Sequence, residues 1–220
     1  MSRDTARTRL EPADRRRELL TVAERLARQD GLASLSTQAV ATAAGASKAL
    51  VFHYFGSVVG LQRAVVEEVV TDLLTALGSP DDGSPADHDR PVVVLDAFIT
   101  AVTARRELWT DIWRGALHDD AQTQEVLGDA RTALVERLAR RSSALHGRTG
   151  TADDAAGPLS PEALALLSRG WVALAENVTA SWLAGSPLDQ AGLRDLLVRS
   201  LAAVLGGADL GGAVPGDDAP

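Results

Sequence analysis

Residues 45–57, GASKALVFHYFGS, gather the chain's only lysine, its only tyrosine, one of its four histidines and two of its three phenylalanines. Such groups suit a polyanion. Lys48 can meet a phosphate or a guanine edge, His53 can hydrogen-bond a base, and Tyr54 can donate to a phosphate. Short side chains at Ser47 and Ala49 would let a helix that carries them enter a major groove closely. Phe52 fits either that surface or a small core, whereas Phe55 reads as core. Upstream, Ser36, Thr37 and Gln38 open another helical segment, where free backbone N–H groups suit a phosphate. Arg15 and Arg16, together with Arg17, Arg3, Arg7 and Arg9, add cations nearer the N-terminus.

A second set of candidates lies far downstream. Trp109 and Trp113 are four apart and share a helix face, so their indoles suit the wall of a pocket for a flat or greasy ligand. Trp171 and Phe98 extend that wall, and Arg114, His118 and Asn177 are polar groups able to fix a ligand's orientation. Ordinary core packing competes with the pocket role for each tryptophan. Catalysis is poorly supplied. Ala49 follows the only lysine, so there is no phosphate loop, and neither H-E-x-x-H nor G-x-S-x-G occurs. His53, His88, His118 and His146 are scattered, and DDGSPADHD lacks calcium-loop spacing and its closing Glu. The expectation is a non-enzyme with no metal and no cofactor.

The elements that must position these residues are helical nearly throughout, so the expected class is all-α. A first helix spans residues 14–29, with Leu19, Val22, Ala23, Leu26 and Ala27 at helical spacing, and Asp30–Gly31 stops it. Ser36 caps a short second helix ended by Gly45, and Ser47 caps a third, KALVFHYF, closed by Gly56. Two such helices joined by AGAS form a helix-turn-helix signature, with Gly45 supplying the left-handed turn residue. In it, Val40, Ala41 and Ala44 pack one side of a small core while Leu50, Val51 and Phe55 fill the other. Further helices are expected at residues 58–77, 92–104, 106–117, 120–145, 161–184 and 188–205. GSPDDGSPADHDRP reads as a linker, GRTGTADDAAGPLSP as a loose stretch, and residues 208–220 as a disordered tail.

Composition bounds what such a chain can do. Its 220 residues allow an ordinary core, and the absence of cysteine excludes disulfides and fits a cytoplasmic protein. No run approaches the length of a membrane span and the N-terminus does not read as a secretory signal, so no membrane partner is expected. The net charge of −8 is unevenly spread: residues 1–60 carry nine Lys and Arg against six Asp and Glu, a net of +3, leaving −11 elsewhere. A basic head on an acidic body lets a polyanion be met by one end only.

STQAVATAAGASKALVFHYFGS, with the basic helix before it and a helix opening near Leu61 after it, resembles the DNA-binding domain of the TetR family of bacterial repressors. The resemblance is specific across about residues 15–70; beyond them only length and helical layout agree. It implies a basic arm at residues 1–13, a helix-turn-helix domain at 14–56, and a helical ligand-binding and dimerisation domain at 57–207. Partners would be a palindromic double-stranded DNA operator, an unidentified small apolar or aromatic ligand that releases it, and a second copy of the chain. Two final helices pair with their copies in the family, which assigns Leu164, Leu167, Trp182, Leu193, Leu197 and Leu201 to the subunit interface. Three positions depart from the family's habit: Leu50 stands for a common threonine, Phe52 for tyrosine and Val58 for lysine. Those losses favour a rival reading, a helical ligand- or protein-binding module with weakened DNA binding.

Overall fold

The computed structural model describes residues 11–78, 91–149 and 159–205, and they form nine helices and no strand. The arm arginines Arg3, Arg7 and Arg9, most of both expected linkers, and the expected tail lie outside the described residues.

Helix α1 (Pro12–Asp30) begins with a proline, which has no N–H to leave unpaired there, so the helix takes in residues expected to belong to the arm. Its buried face is Leu19, Leu20, Ala23 and Ala27. The next three helices are α2 (Thr37–Ala43), α3 (Lys48–Phe55) and α4 (Val58–Ala76), each opened by a serine cap. Ser36 Oγ accepts from the Ala39 N–H, Ser47 Oγ from that of Leu50, and Ser57 Oγ from that of Gly60. Gly45 and Gly56 turn the chain between them at φ 57° and 73°, and α3 meets α4 at 64°. Gly60 makes that sharp meeting possible, because a Cβ there would lie 2.1 Å from the Phe55 carbonyl oxygen.

The body adds α5 (Pro91–Ala104), α6 (Arg106–Trp113), α7 (Ala121–Thr149), α8 (Pro161–Leu183) and α9 (Gln190–Leu205). Helix α6 stops at Trp113, short of the expected residue 117, where Gly115 and Leu117 take positive φ (92° and 60°). Leu117 is half-buried against the core, and that packing holds a side chain in a conformation costing about 1–3 kcal/mol. Asp189 receives the Gly192 N–H, so α9 starts at Gln190 and not at residue 188.

Two apolar clusters hold the chain together. The first runs without a break from α1, α2 and α3 through α4 into α6, including Leu19, Val40, Val51, Leu61, Val65 and Leu108. The second joins α5, α7, α8 and α9 around Ile99, Val135, Trp171, Leu193 and Leu197. The protomer's own packing corrects the expected subunit interface at Leu164, Leu193, Leu197 and Leu201, which are buried, whereas Leu167 and Trp182 are half-buried against its cores and keep part of their surface exposed. The reason is packing: α9 lies against both α5 and α8, so its leucine stripe is spent inside. On α8 and α9 the large apolar side chains left exposed are Leu166 (70% exposed), Leu174 and Leu196. No single helix among the described residues is long and apolar enough to cross a membrane.

Candidate nucleic-acid interface and ligand cavity

Helix α3 is a short helix with a sorted circumference. Val51 and Phe55 are buried in the first core, while Leu50 and Tyr54 are half-buried against it. Lys48, Ala49, Phe52 and His53 face outward, and Ser47 at the cap is exposed beside them. The Lys48 ammonium sits 5.8 Å from the centroid of Phe52, which holds the cation over an aromatic face without removing it from solvent. His53 packs edge-on against Tyr54, ring centroids 5.2 Å apart. Phe52, placed by sequence in either a core or a surface, is 41% exposed.

Around this helix the other expected contacts sort unevenly. Gln38 is exposed and donates to Thr42 Oγ1, and Ser36 is half-buried with its hydroxyl engaged as the α2 cap. Thr37 is buried, only 2% exposed, because the first residue of α2 faces the core that Val40 and Ala41 share, so its hydroxyl is no phosphate contact and the expectation there rests on the backbone N–H alone. Arg16 is exposed, with its guanidinium carbon 5.3 Å from the Phe55 ring centroid, so α1 and α3 are joined at this surface. Arg15 is half-buried and paired with Glu18, and Arg17 pairs with Asp14 at 2.7 Å.

The head is tied to the body at several polar points. Gln62 of α4 donates to the Leu32 carbonyl at 2.9 Å in a buried contact, fixing α4 to the α1–α2 loop. Arg105, just before α6, bridges Glu24 of α1 and Asp72 of α4. Asp111 of α6 accepts from the Ala33 N–H at 3.2 Å. Arg63 of α4 reaches Asp120 and Gln122 at the start of α7. The Asp120 carboxyl is held below the usual carboxylate range, first by the Thr123 hydroxyl, then by the Thr123 N–H and the Arg63 guanidinium, against a burial effect in the opposite direction.

Within the body, residues of α4 to α9 line an apolar cavity of about 170 Å3 that is partly open. Val70, Leu73 and Leu77 of α4 form one wall and Phe98, Trp109, Trp113 and Trp171 much of the rest. Trp109 and Trp113 lie with ring centroids 5.3 Å apart and planes tilted by 33°, and the Trp171 indole N–H donates to Ser200 Oγ. A second, more polar crevice of about 270 Å3 adjoins it, sharing Trp113, Leu127, Arg131 and Glu176. His118 and Asn177 belong to this crevice and not to the apolar cavity. Arg114 lines neither cavity: its residue ends α6 and it is exposed. Sequence reasoning missed Arg131, Arg137 and Glu176, which also line the apolar cavity. Nothing local marks them, because they come from α7 and α8 and meet only through helix packing. Spacing alone would have made each a solvated charge.

Residues 19–65 match the family model described as bacterial regulatory proteins, tetR family, and residues 88–204 match one described as a tetracyclin repressor-like C-terminal domain. Among curated proteins, the HTH-type transcriptional regulator BetI 2 of Chromohalobacter salexigens is 28% identical over 47% of this chain and 53% of its own length. The match thus spans about half of that relative. The HTH-type transcriptional regulator BetI of Vibrio parahaemolyticus is 25% identical over 71% of this chain and 72% of its own. A crystal structure of a tetR-family transcriptional regulator from Streptomyces coelicolor superposes with a TM-score of 0.73 at 24% identity, covering 89% of this chain and 82% of that one. That likeness speaks for the fold.

Proposed function

Because the chain belongs to the tetR family of bacterial regulatory proteins, we propose that it is a DNA-binding transcriptional regulator whose grip on its operator is set by a small ligand in the body. The observation that carries this reading is the double duty of α4. Its first residues are coupled to α3 through Ser57 and the close approach of Gly60 to Phe55, while Val70, Leu73 and Leu77 near its other end wall the apolar cavity. A ligand filling that cavity presses on α4, the helix against which the recognition helix α3 is set. Helix α6 offers a second route, with Trp109 and Trp113 on the cavity and Asp111 on the head.

In this reading Lys48, His53 and Gln38 reach the major groove and its flanking phosphates, with Ser47 and Ala49 allowing close approach and Arg16 and the cap at Ser36 along the backbone. The protein works in the cytoplasm as a repressor and as a homodimer, its subunits meeting through Leu166, Leu174 and Leu196. A coupling of about 1–3 kcal/mol between the two sites changes operator affinity about 5–150-fold. Footprinting the operator with and without candidate ligands tests this: a footprint that fades with ligand supports it, and one that no cavity-binding compound alters rejects ligand control.

One observation favours the rival binding-module reading. Phe52 and Val59 are both 41% exposed, on α3 and at the start of α4, and Phe52 lies under the Lys48 ammonium. Retention on a heparin column across a salt gradient separates the readings, since a protein-docking head elutes early.

A further inference from the structure

Resting on the ligand-controlled reading above, we infer that the cavity takes a compact apolar monocarboxylate, its body among the tryptophans and its carboxylate on Arg131. Size is the first constraint. An apolar cavity of about 150 Å3 holds a benzene ring, so the apolar part here, about 170 Å3, has room for a single ring or an equally compact hydrocarbon, with a polar head lying toward the adjoining crevice. The walls offered by Phe98, Trp109, Trp113 and Trp171 suit a flat body.

The head group follows from how Arg131 is held. Its Nε–H is shared by both Glu176 oxygens, at 2.9 and 3.0 Å. The Arg131–Glu176 pair thus engages the side of the guanidinium and leaves its end-on edge, the two terminal amino groups, outside that contact. That edge matches the two oxygens of a planar carboxylate. Glu176 fixes the plane of the guanidinium without taking the edge. Both residues line the apolar cavity and the polar crevice, so they stand where the two spaces meet. Arg131 is 43% exposed, which leaves its charge within reach of a ligand.

The surroundings choose the sign. The one carboxylate among the cavity's lining residues, Glu176, is already engaged by the Arg131 Nε–H. Arg137 donates to the Leu74 carbonyl. On the crevice side His118 and Asn177 supply further donors, while the Gln124 amide donates to the Leu117 carbonyl. An ammonium head would have to face Arg131, and an uncharged head would forgo the fork.

Tryptophan emission of the whole protein reads the binding directly, since three of its four tryptophans line the cavity. Titrations with 3-phenylpropionate, 3-phenylpropionamide and 2-phenylethylamine compare one ring body with three head groups. The expected result is a carboxylate preference of about 10–100-fold over the amide, the scale of a charged hydrogen-bonded contact. In Arg131→Gln, with helicity checked by circular dichroism, the two affinities converge because the carboxylate weakens while the amide stays within about twofold. Equal binding of acid and amide, preference for the amine, or a loss shared by acid and amide in Arg131→Gln would overturn the carboxylate assignment and leave the cavity reading standing. Failure of all three compounds to shift the emission at millimolar concentration would overturn both.

Discussion

Lys48 and Thr37 lie eleven positions apart in similar company, yet one stands in solvent over Phe52 and the other is buried at the start of α2. The difference is legible only once α2 packs against α1, because a capping position fixes the backbone and leaves the neighbouring side chain to the core. For Lys48 the expected effect is electrostatic. Lys48→Ala should weaken operator binding about evenly across sequences and reduce the slope of log affinity against log salt by about one. His53→Ala should instead relax preference at one base position. Titrations at several salt concentrations on operator and scrambled duplexes distinguish the two, and an unchanged slope in Lys48→Ala removes Lys48 from the phosphate contacts. Gly60 gives a steric counterpart. A methyl 2.1 Å from the Phe55 carbonyl cannot be accommodated without shifting α3 from α4. Gly60→Ala should cost about 1–3 kcal/mol of stability, measured by urea unfolding, with DNA affinity falling further than stability alone explains.

At the scale of elements, the caps were the most readable feature. Ser36 and Ser47 each accept the hydrogen bond expected of a cap, Ser57 does the same for α4, Gly45 adopts the expected left-handed turn, and Gly56, expected to close α3, also takes a positive φ. The facing of α9 was not readable, since a leucine stripe looks the same whether it meets α5 and α8 or another subunit. Nor was the cavity's charged rim, assembled from side chains of α7 and α8. The junction of α4 with α7 carries a pH signature. Because the folded protein holds Asp120 below the usual carboxylate range, that group adds stability above its unfolded value, near 4, and the addition is lost as pH falls through the lowered value. Asp120→Asn should therefore melt below the parent protein at neutral pH, with the gap closing in acid. A gap that persists undiminished at low pH would mean that the charge on Asp120, held first by Thr123 and then by Arg63, is not what stabilises the start of α7.

For the whole molecule, the split between a basic head and an acidic body was visible in the sequence, whereas the face available for a second subunit was not. Four of the expected leucines, Leu164, Leu193, Leu197 and Leu201, are buried within the protomer, leaving Leu166, Leu174 and Leu196 exposed on α8 and α9. Leu166→Glu combined with Leu196→Glu should leave the protomer folded, since both side chains are exposed, and should shift it to monomer in analytical ultracentrifugation. A dimer that survives both charges would place the interface elsewhere. Dimerisation matters because one eight-residue recognition helix reads few base pairs, whereas two heads read half-sites a helical turn apart, about 34–36 Å. Selection of bound sequences from a random duplex pool at about 150 mM salt, where nonspecific attraction to phosphate is weakened, tests that claim most directly. Enrichment of a palindrome with half-sites one or more turns apart is the predicted result; folded protein that enriches no sequence would contradict it.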